Sequence, residues 1–296
     1  MEAYEHIDPD LWYVLDLSDR ERLHFLDRPT LLRYPAADDI FKQLQRLLEM
    51  PKRARMDNLL IVSESNNGKT TLVSQFQKRH GEPFVNHDNE AIKPIVIVES
   101  PPAADEKSLH LSILKRFRAP FRKTAPAAEL RYQAIHLLRQ CRARMLIIDE
   151  FHSLLAGTGR NQSVVMNTVK LLCNELQIPI VAVGTHEAVQ VLRTDPQHVS
   201  RFDVARLPLW KLDRDFQRLL VGFEQILPLK RPSNLYRKEM AQLLYTFCGG
   251  NLGDLRKLLV NCAREAIETG AEHIGTELVE KTHARAVASR GADDKR

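Results

Sequence analysis

Apolar residues are distributed along this chain in two alternating patterns. Short uninterrupted runs recur at Asn58-Leu59-Leu60-Ile61-Val62, Ile95-Val96-Ile97-Val98, Met145-Leu146-Ile147-Ile148 and Ile180-Val181-Ala182-Val183. Each is short and rich in aliphatic residues with no polar alternation, so each predicts a strand buried on both faces. Between the runs the spacing turns helical, as at Val165, Val169, Leu172 and Leu176. Buried strands alternating with helices predict an α/β fold, a parallel sheet flanked by helices.

The pattern changes at both ends. Ile40, Phe41, Leu44, Leu47 and Leu48 mark a helix that Asp38-Asp39 could cap and that Pro51 and the basic run Lys52-Arg53-Ala54-Arg55 end. Residues 1–55 therefore read as an N-terminal extension. Its anchors Trp12, Tyr13, Leu15, Leu17, Leu23, Phe25 and Leu26 fit either an arm for neighbours and partners or packing on the body. After Trp210 no strand-like run follows. Phe216, Leu219, Leu220 and Phe223 mark a helix behind Asp213, and Leu235, Met240, Leu243, Leu244 and Phe247 mark one opened by Ser233. Leu255, Leu258, Leu259 and Cys262 mark a third. The expected division is residues 1–55, an α/β domain over 56–210, and a small all-helical domain over 211–296 whose tail from Ser289 is frayed.

Composition narrows the class. The 296 residues are 44% hydrophobic and 27% charged, as in soluble globular proteins. No apolar run approaches the ~20 residues of a membrane span. Met1-Glu2-Ala3-Tyr4-Glu5-His6 lacks the basic-then-apolar order of a secretion signal, so the expected location is the cytoplasm, with no membrane partner. Cys141, Cys173, Cys248 and Cys262 form no C-x-x-C pair and point to buried, reduced thiols rather than a zinc site. A net charge of +5 permits a nucleic-acid partner without requiring one.

The chemistry concentrates where strands end. Ser63-Glu64-Ser65-Asn66-Asn67-Gly68-Lys69-Thr70 follows the first strand and matches the phosphate-binding pattern G-x-x-x-x-G-K-[ST], except that Ser63 replaces the first glycine. A loop between a strand and a helix points backbone N–H groups and the helix dipole at a phosphate. The loop through Thr71 is the candidate cradle for ATP. Gly68 allows close approach, Lys69 reaches the β- and γ-phosphates, and Thr70 holds Mg²⁺. If the first position needed a positive φ, Ser63 would be strained there. Asp149 and Glu150 stand at the C-terminal end of the third run, the edge where open α/β sheets bind ligands. Asp149 fits a residue that holds Mg²⁺ through water, and Glu150 fits a general base for the attacking water.

This order of motifs, with a helical domain behind it, resembles the AAA+ superfamily of P-loop NTPases. The resemblance implies ATPase activity and three further roles. Thr185, after Ile180-Val181-Ala182-Val183-Gly184, matches the sensor-1 residue that orients the lytic water. Arg201, in Ser200-Arg201-Phe202, matches the arginine finger that reaches a neighbouring subunit's nucleotide, with Arg206 the next candidate. Arg256, in Gly253-Asp254-Leu255-Arg256, matches the sensor-2 signature of the helical lid. Singly, Thr185 could cap a helix, Arg201 could be a surface charge and Arg256 could pair with Asp254 or Glu265. An arginine supplied in trans makes hydrolysis depend on assembly.

Longer stretches resemble one family more specifically. They are the loop Glu64–Thr70, the run from Asp149 through Phe151-His152-Ser153-Leu154-Leu155-Ala156-Gly157, the run Asn174–Thr185, and Leu207-Pro208-Leu209-Trp210 after Ser200-Arg201-Phe202. Together they are similar to TniB, the TnsC-related ATP-binding transposition proteins. That resemblance implies a homo-oligomer, ring or filament, assembled with ATP on double-stranded DNA without sequence preference. It also implies recruitment of a DDE transposase, a possible target-site selection factor, and disassembly on hydrolysis. The residues alone offer weak support for DNA. Lys107, Lys115, Arg116, Arg118, Arg122 and Lys123 form a basic stretch in which Lys115, Arg118 and Arg122 would align on a helix that Pro120 cuts short. Such a strip neutralises phosphates, or else is a solvated face or subunit contact. Related filament-formers place DNA contacts here and after the Asp-Glu pair, which singles out Lys107, Lys115 and Arg160. Other AAA+ readings, a helicase loader or a weakly hydrolysing nucleotide-switch scaffold, share the same core.

Overall fold

The computed structural model describes residues 4–28, 34–101, 105–155, 158–193 and 200–293. Chain order begins with helices α1 (Trp12–Leu15), α2 (Asp19–Leu26) and α3 (Pro35–Glu49), then β1 (Asn58–Val62), α4 (Lys69–His80), β2 (Phe84–Val85), β3 (Ala91–Ile92) and β4 (Ile95–Glu99). It continues with α5 (Glu106–Arg116), α6 (Ala127–Gln140), β5 (Met145–Asp149), α7 (His152–Leu155), α8 (Gly159–Leu176), β6 (Ile180–Gly184), α9 (His186–Arg193) and β7 (Phe202–Arg206). Helices α10 (Arg214–Ile226), α11 (Lys238–Cys248), α12 (Leu252–Glu268) and α13 (Thr276–Asp293) close it.

Two compact units result. The α/β unit comprises the described residues of Pro35–Ser65 and Lys69–Pro208. Its five strands pair in parallel in the order β4-β5-β6-β1-β7. Every residue of β1, β5 and β6 is buried, which is why those strands read as unbroken apolar runs. Leu60, Val62, Leu146, Ile148 and Ala182 share one core with Leu109 and Ile113 of α5, Leu138 of α6 and Leu172 of α8. One polar residue is locked into that layer. The Asn58 carboxamide oxygen accepts from the Ile180 N–H at 2.8 Å, tying the start of β1 to the start of β6.

The other unit holds α1, α2 and α10–α13, together with loop residues Asn66–Gly68. Leu26 of α2 packs into the core of Phe216, Leu220, Leu244, Leu259 and Val279. Arg22, fully buried, donates to the Pro228 carbonyl at 3.2 Å and pairs with Glu272 and Asp19. Burial opposes its charge, but these partners outweigh it and hold the guanidinium pKa above the ordinary arginine value.

Several expectations are corrected. Residues 1–55 are not one extension: the described part up to Tyr34 belongs to the helical unit, and α3 belongs to the α/β unit. Asp38 lies inside the first turn of α3, which begins at Pro35, so Asp38-Asp39 is not its cap. Asp213 does cap α10, accepting from the Asp215 and Phe216 N–H groups at 3.0 Å. Ser233 does not open α11, which starts at Lys238. The N–H groups of Ser233, Asn234 and Leu235 are instead claimed by the buried Glu224 carboxylate at 2.8, 2.7 and 3.0 Å. The tail is helical to Asp293, and residues 294–296 lie outside the described residues, as do Ala156 and Gly157. Strand β7 and the antiparallel β2–β3 pair were not foreseen. The four thiols are buried and free. Among the described residues no helix is long and apolar enough to cross a membrane.

His110 of α5 is wholly buried, and neither ring nitrogen has a hydrogen-bond partner among the described residues. Burial, followed by the charge of Arg131, pushes its pKa down to about 4. Its unfolded value is about 6.5. The native state therefore keeps a neutral ring that the unfolded chain protonates, so stability is intact above about pH 6.5 and lost toward pH 4, by up to about 3 kcal/mol. Urea unfolding at pH 7.5 and pH 5 should show the wild type losing about 2 kcal/mol more than His110→Leu, and equal losses would contradict a neutral His110.

Candidate nucleotide site

Strand register decides which side chains meet. Val62 at the end of β1 lies beside Gly184 of β6 and Arg206 of β7, and Asp149 of β5 lies beside Glu99 of β4. The C-terminal ends of all five strands thus form one edge, and the P-loop, Asp149-Glu150 and Thr185 all leave from it.

Ser63 is fully buried, and its N–H donates to the Gly184 carbonyl at 3.3 Å. Its φ is not positive, so serine is unstrained at this position. The left-handed residues of the loop are Asn66, at φ 59°, and Gly68, at φ 84°. Asparagine is among the residues that tolerate this region, and glycine enters it freely. The conformational demand usually met by a first glycine is thus carried further along the loop.

Lys69 opens α4 and is 7% exposed. Its Nζ donates to the Ser63 carbonyl at 3.1 Å, the Ser63 Oγ at 3.2 Å and the Glu64 carbonyl at 2.7 Å, which matches the three N–H groups of an ammonium. Burial holds its pKa below the ordinary lysine value, while the carboxylates of Glu150, Asp149 and Glu64 pull the other way. Thr70 donates its hydroxyl to Asp149 Oδ2 at 2.7 Å, and Asp149 Oδ1 accepts from the Glu150 N–H at 2.9 Å. Glu150 adopts φ 55°, an uncommon conformation for a non-glycine residue, at the point where β5 turns. Its Oε2 lies 3.4 Å from His152 Nδ1. The Thr185 Oγ1 is buried with no hydrogen-bond partner among the described residues.

Lys69, Thr70, Asp149, Glu150 and Thr185 are therefore brought to one edge, and Arg201 is not. The Arg201 carbonyl accepts from the N–H of Asn58, the first residue of β1, so Arg201 sits at the opposite edge, about 16 Å away by strand rise. Its guanidinium donates to the Asn174 side chain at 3.3 Å. Arg256, in the helical unit, donates to the carbonyls of Leu26 and Arg28 at 3.3 and 3.0 Å. In that unit the Gly253 N–H donates to the Asn66 carbonyl at 2.9 Å, and a Cβ on Gly253 would lie 2.1 Å from the same oxygen, so only glycine fits.

The basic stretch is not a helical strip. Helix α5 ends at Arg116, with Arg118 left-handed at φ 52°, the Ala119 N–H on the Leu114 carbonyl and the Arg118 N–H on the Lys115 carbonyl. That double closure stops the helix before Pro120 and breaks the expected alignment. Lys107 lies in the first turn of α5, Lys115 in its last, and Arg160 is exposed in the first turn of α8. Lys115 and Arg116 share an 890 Å³ cavity with Thr70, Asp149 and Glu150, whereas Lys107 and Arg160 do not line it.

A family match follows this geometry. The family described as bacterial TniB protein matches residues 22–212. The chain belongs to the TniB family. No curated protein sequence matches it. Its fold is that of AAA+ proteins, an α/β unit with a five-stranded parallel sheet and a helical unit. The Cdc6p structure from Pyrobaculum aerophilum matches at TM-score 0.63 and 18% identity, covering 90% of this chain and 70% of that one. The Aeropyrum pernix ORC2 protein, in ADPNP–ADP complexes, matches at TM-score 0.61 and 19% identity, covering 88% and 71%. The Aeropyrum pernix ORC1 protein in complex with DNA matches at TM-score 0.63 and 14% identity, covering 91% and 71%.

The residues of this TniB chain fit a magnesium–nucleotide group. A hydroxyl and a carboxylate 2.7 Å apart suit a hard cation, an ammonium stands on the loop, and the Thr185 hydroxyl at the same edge has no partner among the described residues. Gly68→Ala would relax a left-handed loop residue that binding must restore, at about 1–2 kcal/mol. Anisotropy titration with a fluorescent ATP analogue should show a loss of about five- to thirtyfold for Gly68→Ala. Ser63→Gly should stay within about twofold of wild type, because no strain exists there to relieve. A gain for Ser63→Gly would contradict the placement of the strain.

Proposed function

We propose that this TniB chain is an ATP-dependent switch for DNA transposition. In this reading it binds ATP with Mg²⁺, assembles with its own copies on duplex DNA, recruits a DDE transposase and comes apart after hydrolysis. The observation that carries the reading is the Thr70–Asp149 contact beside Lys69 and Glu150, in a chain that belongs to a transposition-associated family.

The roles follow from position. The loop N–H groups and Lys69 bind the β- and γ-phosphates. Thr70 and Asp149 hold the metal, which when bound spreads the charge of the phosphates. Glu150, turned out of β5 at the cavity wall, accepts the proton of the attacking water, and the Thr185 hydroxyl, without a partner among the described residues, orients that water. Arg201 is too far from its own loop to serve it, so it serves a neighbouring copy, and isolated subunits hydrolyse slowly. Arg256 acts as the nucleotide sensor of the helical lid. Lys107, Lys115 and Arg160 contact DNA phosphates without reading bases. The DNA-bound ORC1 structure shares the fold and lends general support to a DNA-associated role.

ATPase assays over a range of protein and duplex DNA concentrations test this. The rate per subunit should rise with both, and Glu150→Gln should bind the ATP analogue like wild type yet leave DNA at least about tenfold more slowly, since hydrolysis no longer releases it. Flat rates in both titrations, or equal departure of the variant, would contradict the reading.

A further inference from the structure

Arg206 reads from sequence as a second choice for a finger acting in trans. Its position argues otherwise. It is the last residue of β7, in register with Val62, so it stands at the same edge as the P-loop of its own chain. Its Nη1 lies 3.4 Å from His186 Nδ1. The other ring nitrogen, Nε2, lies 3.7 Å from the Glu64 carboxylate. Arginine only donates, so His186 Nδ1 accepts, and the proton of the neutral ring sits on Nε2, facing Glu64. The order Arg206, His186, Glu64 is thus a directed chain from a fixed cation to a carboxylate.

That carboxylate is the one acidic side chain within the loop Ser63–Thr70. A negative group in a loop that receives a triphosphate opposes its ligand unless it is turned aside or neutralised. Lys69 also interacts with the Glu64 carboxylate, but the phosphates need it. His186 follows Thr185 directly and opens α9, so its place is set by the same strand end that sets the sensor hydroxyl.

We propose that Arg206 is a positioning residue that acts through His186 to draw the Glu64 carboxylate toward β7 and away from the phosphate cradle. It acts in cis and governs nucleotide affinity, not the chemical step. This rests on the reading of the P-loop as a nucleotide site. The contact is half exposed, so its effect on affinity is modest, about three- to fivefold.

A double-mutant cycle with a fluorescent ATP analogue tests it, using wild type, Arg206→Ala, Glu64→Gln and the pair, with Arg206→Lys as the conservative variant. Arg206→Ala should weaken binding about three- to fivefold, and the same change in the Glu64→Gln background less than about 1.5-fold. Arg206→Lys should recover part of the loss. In steady state Arg206→Ala should raise KM and leave kcat within about twofold. Equal losses in both backgrounds, no loss at all, or a fall in kcat at unchanged KM would overturn the proposal, the last because it marks a finger in trans. If wild type binds no nucleotide, the P-loop reading itself fails; if wild type binds and the cycle shows no coupling, only the role of Arg206 fails.

Discussion

The bond from the Thr70 hydroxyl to Asp149 Oδ2, 2.7 Å long, is the contact on which the candidate site depends. It joins the first turn of α4 to the end of β5, although β6 lies between β5 and β1 in the sheet. It forms only if three buried strands end level with one another. Registers of Val62 with Gly184, and of Ile148 with Ala182, supply that alignment. Asn58 anchors the other end by binding the Ile180 N–H, so neither β1 nor β6 can slip by one residue without leaving a buried amide unpaired.

With the edge fixed, charge is arranged around it in layers. Lys69 is nearly buried and faces the carboxylates of Asp149 and Glu150 through space while its protons go to loop oxygens. On one side a cavity brings Lys115 and Arg116 toward those carboxylates. On the other, Arg206 and His186 address Glu64.

Much of this was legible in the sequence. The strands β1, β4, β5 and β6 were, because burial leaves runs of four or more apolar residues in them, with polar residues confined to their ends. The P-loop and the Asp149-Glu150 pair were legible as chemistry tied to strand ends. Strand β7 was not, because it is an edge strand in which Asp203 and Val204 are exposed between buried Phe202 and Ala205, and Arg206 is exposed at its end. Missing β7 hid the side of the sheet on which Arg206 stands. The grouping of the N-terminal segment with the helical unit rests on Arg22, a buried arginine satisfied by Glu272 some 250 residues later, and no local pattern reveals such a pair. Ser63 looked like a defect because the motif is written in residue types. The backbone shows that positive φ is needed at Asn66 and Gly68 instead.

The measurement that bears most directly on this site is calorimetric binding of a non-hydrolysable ATP analogue to wild type and Asp149→Asn, with and without Mg²⁺. If Thr70 and Asp149 form a metal seat at the phosphate cradle, Mg²⁺ should tighten binding to wild type by about tenfold or more and should have little effect on Asp149→Asn. The same Mg²⁺ dependence in both proteins would place the metal elsewhere and contradict the assignment of this edge.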